Sequence, residues 1–228
     1  MESSSFFGGI FYRCRESFML ILATSLALTP HYRTYTSSNL SLHNIKATFI
    51  GPAIMAFTLY DATIVDAKTI LETLDGLLKK AEEQPNAESF LRARLYEDMN
   101  PLTFQIHAAT RFTELVLARL TGREAVQYED NLVSYADMHA RIAKVLAALE
   151  KADKDTVNRY GEEVLPTALP SAGTMDISGK AFAKGAAIPN IYFHLNMTYA
   201  ILRKEGVPLG KKDYAMGFAM DHILKPKQ

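Results

Sequence analysis

Two histidines carry most of the chemistry this chain can offer. His194 sits in the stretch AIPNIYFHLNMTYAILRKEGVPLG, residues 187–210, at a position where helical spacing wants an apolar residue. It shares a helical stripe with Asn190, Ile191, Met197, Thr198 and Ile201, so a helix packed in a bundle turns it inward. His107 lies early in a second helical segment, NPLTFQIHAATRF. Imidazole titrates near neutral pH and is the commonest transition-metal ligand. A facing pair therefore suits general acid–base catalysis or metal binding between helices. Two imidazoles are one short of a stable zinc site, which usually takes three protein ligands. The plain alternative is structural: His194 as a core histidine satisfied by a hydrogen bond, and His107 as a partly exposed residue beside Arg111. Tyr192 and Tyr199, with Phe193 and Tyr214, are candidate aromatic walls for a small organic ligand, and equally ordinary packing residues. His139 borders the buried face of its helix and is expected to face solvent. His31, His43 and His222 fall in terminal segments. No nucleophile elbow, phosphate loop, dinucleotide fingerprint or HExxH helix is present.

The elements that must position these residues are mostly helical. Thr58 and Asp61 read as an N-cap pair, and Thr63, Ala67, Ile70, Leu74, Leu77 and Ala81 recur at helical spacing up to the breakers Gln84, Pro85 and Asn86. A short amphipathic helix is expected over 87–95. A second long helix starts at Pro101, where a missing N–H costs nothing, and stops at Gly122. Ser134 with Asp137 forms a capping box for a third long helix to about residue 152, with Met138, Ile142, Val145 and Leu149 on its apolar face. Two short segments, 164–169 and 174–177, flank Pro170 and Gly173 and read as a β-hairpin. The fourth long helix, 190–205, ends at Gly206 with Pro208 beyond. The stretch 206–213 then reads as a cap and turn that opens no further helix. Four long helices with short connections bury their stripes most simply as a four-helix bundle, mainly α, with the hairpin between the third and fourth helices.

Composition narrows the partners. Lys and Arg number 25, as do Asp and Glu, so no basic excess exists to neutralise phosphates and nucleic-acid binding has no support. The single cysteine, Cys14, excludes an internal disulfide and any multi-cysteine zinc site. Residues 1–54 differ from the rest: two acids (Glu2, Glu16), four basic residues (Arg13, Arg15, Arg33, Lys46) and many Ser and Thr. Their apolar run 18–28, FMLILATSLAL, is too short to span a bilayer comfortably. It reads as a signal-peptide core, as part of a transit peptide, or as an extension upstream of a start at Met55. Residues 1–54 are therefore set apart as a non-core extension expected to pack little against the bundle, with 55–228 as the domain. That domain is expected to be cytoplasmic and off the membrane, or mitochondrial or secretory if the extension is a targeting peptide.

Three segments together resemble a known family. LYDATIVDAKTILETLDGLLKKAE, RLYEDMNPLTFQIHAATRF and IPNIYFHLNMTYAILRKEGVPLGKKDY, in order over 55–214, are similar to the fungal and bacterial family called domain of unknown function 1993. The resemblance implies a branch of the DinB-like four-helix bundles, many of which hold a divalent metal on three histidines. One such ligand comes from the second helix and two from an HxxxH in the fourth, and the fourth helix there ends in a pattern that Leu202, Arg203 and Gly206 repeat. On that frame His107 takes the second-helix position, His194 the second histidine of HxxxH, and Asn190 the first. A site of His107, Asn190 and His194 for zinc or nickel is thereby implied, weakened by Asn190, because a neutral amide oxygen is a poor ligand for such metals.

Two functions follow as expectations. The first is an enzyme acting on a small organic molecule, in fungal secondary metabolism or detoxification, with His107 and His194 as metal ligands or as acid and base. The second is a non-catalytic bundle, ligand-binding or homodimeric, whose metal site has been lost.

Overall fold

The computed structural model describes residues 57–169 and 173–224. These lie within the second of the two units into which the chain divides, Ala56–Gln228. The expectation that the extension packs little against the bundle falls outside the described residues.

The chain enters through a π-helical turn, Asp61–Val65, in which Asp61 accepts hydrogen bonds from the Thr58 backbone N–H (2.8 Å) and hydroxyl (2.7 Å). It continues directly into α1 (Asp66–Glu82), whose Ile70, Leu71, Leu74, Leu77, Leu78 and Ala81 are all buried. After the one-turn α2 (Ala87–Phe90), Pro101 caps α3 (Leu102–Thr121). The extended loop that follows leads to α4 (Tyr135–Leu149), opened by the expected capping box: Asp137 N–H donates to Ser134 Oγ (3.1 Å), and Ser134 N–H to Asp137 Oδ2 (3.0 Å). Met138, Ile142, Val145 and Leu149 are its buried face, as the spacing requires. Then come α5 (Lys154–Tyr160), the antiparallel hairpin β1 (Val164–Leu169) with β2 (Gly173–Ser178), and α6 (Gly179–Phe182). A π-helical turn, Ala183–Ala187, joins α6 to α7 (Ile188–Lys204), and α8 (Lys211–Ala219) closes the described fold.

The long helices form the bundle. α1 packs on α4 and α7, and α3 packs on the same two, so α1 and α3 stand diagonally. Cross-links give their directions. Lys68 pairs with Glu150 (3.6 Å) and Asp75 with His139 (2.5 Å), so α1 and α4 run antiparallel. Lys204, at the end of α7, donates to the Arg94 carbonyl just before α3 (2.7 Å), so α3 and α7 are antiparallel as well. Tyr192, early in α7, reaches Asp66 at the start of α1 (3.4 Å), so α1 and α7 run parallel. α3 and α4 are therefore parallel neighbours, and the loop over 122–134 must carry the chain back along a helix length.

Four expectations need correction. The short helix expected over 87–95 is a single turn ending at Phe90, where the chain turns off with the Ala93 N–H on the Phe90 carbonyl (3.0 Å). The stretch 206–213 does open a helix: Asp213 accepts from the Gly210 N–H (2.7 Å) in the first turn of α8, which packs on α1. No residue of α8 is fully buried, so no apolar stripe announced it. The fourth long helix begins before residue 190, because the helical path runs on from α6 and Pro189 sits harmlessly in the first turn. The third long helix ends at Leu149, and α5 follows as a separate helix with Asp153 accepting from the Thr156 N–H (2.8 Å).

Gly122 ends α3 in the left-handed region (φ 69°), and a Cβ there would run into the Tyr160 ring. A Gly122→Ala substitution is expected to lower stability by roughly 1–3 kcal/mol, since both the backbone and the ring contact oppose it. A urea denaturation midpoint unchanged from that of the unmodified chain would contradict this account.

Candidate functional site

The site is built where α3 meets α7. α3 is buried over most of its surface, so its polar side chains must find partners on other elements or within the helix itself. Gln105 does so at both ends. Its Nε2 donates to the Asn100 carbonyl (2.9 Å), which turns its Oε1 toward His194, and His194 Nδ1 lies 2.8 Å from that oxygen. The amide oxygen can only accept, so His194 carries its proton on Nδ1 and keeps a lone pair on Nε2. Three aromatic rings frame the imidazole: Phe112 stacked at 6.1 Å, Phe104 at 6.2 Å and Phe193 edge-on at 5.3 Å between centroids.

His107 lies one-half turn beyond Gln105 on the same helix. Its ring is 5.9 Å from that of Phe104, so Phe104 is the shared neighbour of the two histidines. His107 is buried, not partly exposed, and its Nδ1 has no hydrogen-bond partner. Burial pushes His194 down to about 4, with His107 adding to the drop. Burial lowers His107 as well, and there the Asp130 carboxylate and the Glu129 backbone pull the other way. Arg141 and Arg111 push His107 further down, so both rings are neutral at pH 7.

The remaining expected site residues are placed differently. Asn190 is half-buried one turn before His194, and its Nδ2 donates to the Ala186 carbonyl (2.8 Å). Tyr192 turns to α1 and α8: its hydroxyl is 3.4 Å from Asp66 Oδ2, and its ring stacks on Phe218 (5.9 Å). Tyr199 meets Tyr214 edge-on at 6.0 Å. Both tyrosines thus serve the seam with α8, away from the Gln105–His194 contact. His139, expected in solvent, is held by Asp75 (2.5 Å) and lies 3.5 Å from Glu82. His222 is 3.3 Å from Asp66.

The sequence matches the family described as domain of unknown function (DUF1993) over residues 59–215. The chain belongs to that family. It is also similar to a solved structure described as a DinB family member protein from Shewanella denitrificans. The two are 32% identical, and the match has a TM-score of 0.62 and covers 68% of this chain and 90% of that one. No curated protein matches. Membership in DUF1993 together with that neighbour shows a DinB-like helical fold, and no described helix is long and apolar enough to cross a membrane.

A divalent metal on this DUF1993 domain can be tested against the donors present. His194 Nε2 and His107 Nδ1 offer two imidazole lone pairs, and the unpartnered Nδ1 is what a ligand atom would need. The third position is an amide already engaged with Ala186, and among the described residues no three His, Cys, Asp or Glu side chains gather to hold a metal. The donor set stops at two imidazoles and does not complete a metal centre.

Sequence reasoning missed Gln105, Phe104 and Phe112. The signal for Gln105 was available: a lone amide inside the apolar run of a helix starting at Pro101 has to be satisfied by something across the interface.

The depressed His194 makes stability pH-dependent with a definite sign. The unfolded imidazole takes up a proton below its ordinary 6.5, while the folded one resists until about 4. Stability should therefore fall as pH drops from 6.5 towards 4, with a slope approaching about 1.4 kcal/mol per pH unit from this residue. Urea melts across that window should show the slope in the unmodified chain and a shallower one in His194→Gln.

Proposed function

We propose that this DUF1993 domain is an enzyme acting on a small organic molecule, with His107 as the proton acceptor and His194 as the fixed hydrogen-bond acceptor beside it. The observation that carries the reading is the buried, unpartnered Nδ1 of His107. A buried acceptor without a donor costs roughly 1–3 kcal/mol, a cost that a ligand hydrogen at that nitrogen would remove.

The two histidines suit different tasks. His107 has its Nδ1 lone pair unpartnered and the Asp130 carboxylate in reach to offset Arg141 and Arg111; it can take a proton from an acidic O–H or C–H of the ligand. His194, near 4, is a weak base but a good acceptor, and Gln105 holds its tautomer so that Nε2 stays available. Phe104, Phe112 and Phe193 would give the ligand an apolar, partly dry setting in which such hydrogen bonds count for more. A metal supplied at this place would act as Lewis acid, and two imidazoles alone would hold it weakly.

A second reading, a non-catalytic ligand-binding bundle that has lost a metal site, draws on one observation: the Asn190 amide donates to its own helix path. One set of measurements separates the readings. Purified full-length protein is assayed for bound metal, and a panel of phenols, ketones and organic acids is screened by thermal shift and then for turnover. Ligands that stabilise the unmodified chain are expected to lose their effect in His107→Gln, with turnover of the same compounds reduced about 10²-fold or more, the usual loss for a general base. Stoichiometric metal that disappears in His194→Ala would replace this mechanism with a metal-dependent one. Ligand binding without turnover, indifferent to His107→Gln, would favour the non-catalytic bundle.

A further inference from the structure

The parallel pair α3 and α4 leaves a groove that the histidine site does not use. Residues 123–128 of the returning loop roof one side of it, and it encloses about 570 Å³, within the roughly 300–1,000 Å³ of small-molecule pockets. Its bed is apolar: Leu117 from α3, Ala147, Ala148 and Ala152 from α4 and beyond, and Val126 from the loop. Tyr128 lines it as well.

The charge around this bed is one-sided. Glu114 is buried at the base, and its carboxylate is fully engaged: Arg123 bonds it twice (2.5 and 2.9 Å) and the Val126 N–H donates to it (2.8 Å). That pair cancels. Lys144 on α4 and Lys151 in the turn just past its end remain, both exposed and both lining the groove. The Lys144 ammonium lies 5.3 Å from the Tyr128 ring centre, and among the described residues neither lysine has a carboxylate at ion-pair distance. The C-terminal ends of α3 and α4 add partial negative charge nearby, about half a charge each, which two full positive charges exceed.

We propose that this groove binds a hydrophobic carboxylate, an organic acid whose apolar tail lies on Leu117, Ala148 and Ala152 and whose carboxylate meets Lys144 and Lys151. Apolar bed and cationic rim together select for this class. A neutral tail would leave both ammonium groups unused, and a small hydrophilic anion would leave the bed wet. The inference does not rest on the histidines.

The test is calorimetric titration of the full chain with dodecanoate, kept below its micelle concentration, and with dodecanol as the neutral probe. Saturable one-to-one binding of dodecanoate is expected, about tenfold tighter than dodecanol and about tenfold weaker in the Lys144→Gln/Lys151→Gln double variant, as two partly exposed ion pairs would give. Ala148→Phe, which fills the bed, should abolish it, and His107→Gln should leave it unchanged. The lysine variant alters only exposed side chains, so it keeps the test valid if Ala148→Phe fails to fold. Absence of saturable binding, equal affinity for dodecanol, an unchanged affinity in the double lysine variant, or a loss in His107→Gln would each overturn the proposal.

Discussion

Burial of α3 on nearly every side is the constraint from which the rest follows. A helix wedged between α4, α7 and α5 cannot leave its polar side chains to water, and most solve the problem with what is within reach. Thr110 and Thr113 bond carbonyls of their own helix. Glu114 takes Arg123 and the Val126 N–H, and in doing so pins the returning loop. Gln105 bridges Asn100 and His194. His107 Nδ1 is left over. Arg119 Nε is likewise unmet, but it is a donor, so His107 Nδ1 is the acceptor that α3 leaves open.

The parallel course of α3 and α4 is the second consequence. Antiparallel neighbours can be joined by a short turn, whereas parallel ones need a connection that travels the length of a helix, here residues 122–134. Such a loop cannot fill the space between two helices as closely as a third helix would. The groove above Leu117 and Ala148 is what remains, and the Glu114–Arg123 pair holds the loop at its edge. Site and groove thus descend from one topological choice: the same loop brings Glu129 and Asp130 to His107, and Arg123 and Val126 to Glu114 seven residues further along α3.

Much of this was legible from residue order. The stripe Met138, Ile142, Val145 and Leu149, the Ser134–Asp137 box, the stop at Gly122 and the hairpin after Gly161 are all local signals, and local signals survive folding when they agree with the packing. What was not legible depended on weak periodicity. α8 lies on the bundle with no fully buried residue, and its glycine start and paired lysines look like a turn until Asp213 is seen closing on Gly210. The start of α7 was hidden for the opposite reason: α6 and the π-helical turn run into it, so no cap marks residue 188. Helical spacing put Tyr192 beside His194 in the chain, yet two residues along a helix is nearly the opposite face, and Tyr192 went to Asp66 and Phe218.

The histidines show where sequence reading must end. His139 borders the buried face of its helix and His194 lies within it, and helical spacing alone names no partner for either. Their surroundings come from helices far away in sequence. α1 brings Asp75 and Glu82 to His139, so that ring is tied into a surface network of carboxylates and Lys79. α3 brings an amide and two phenyl rings to His194, so that ring is buried without a countercharge and stays neutral to about pH 4. A protonated His194 would have no carboxylate to face, which is why the tautomer fixed by Gln105 is the only form the interior accommodates. His107 stands between these cases, buried like His194 but in the opposed fields of Asp130 and of Arg141 and Arg111. Its unpartnered Nδ1 lies in surroundings set by the α3–α4 loop and α4 as well as by its own helix.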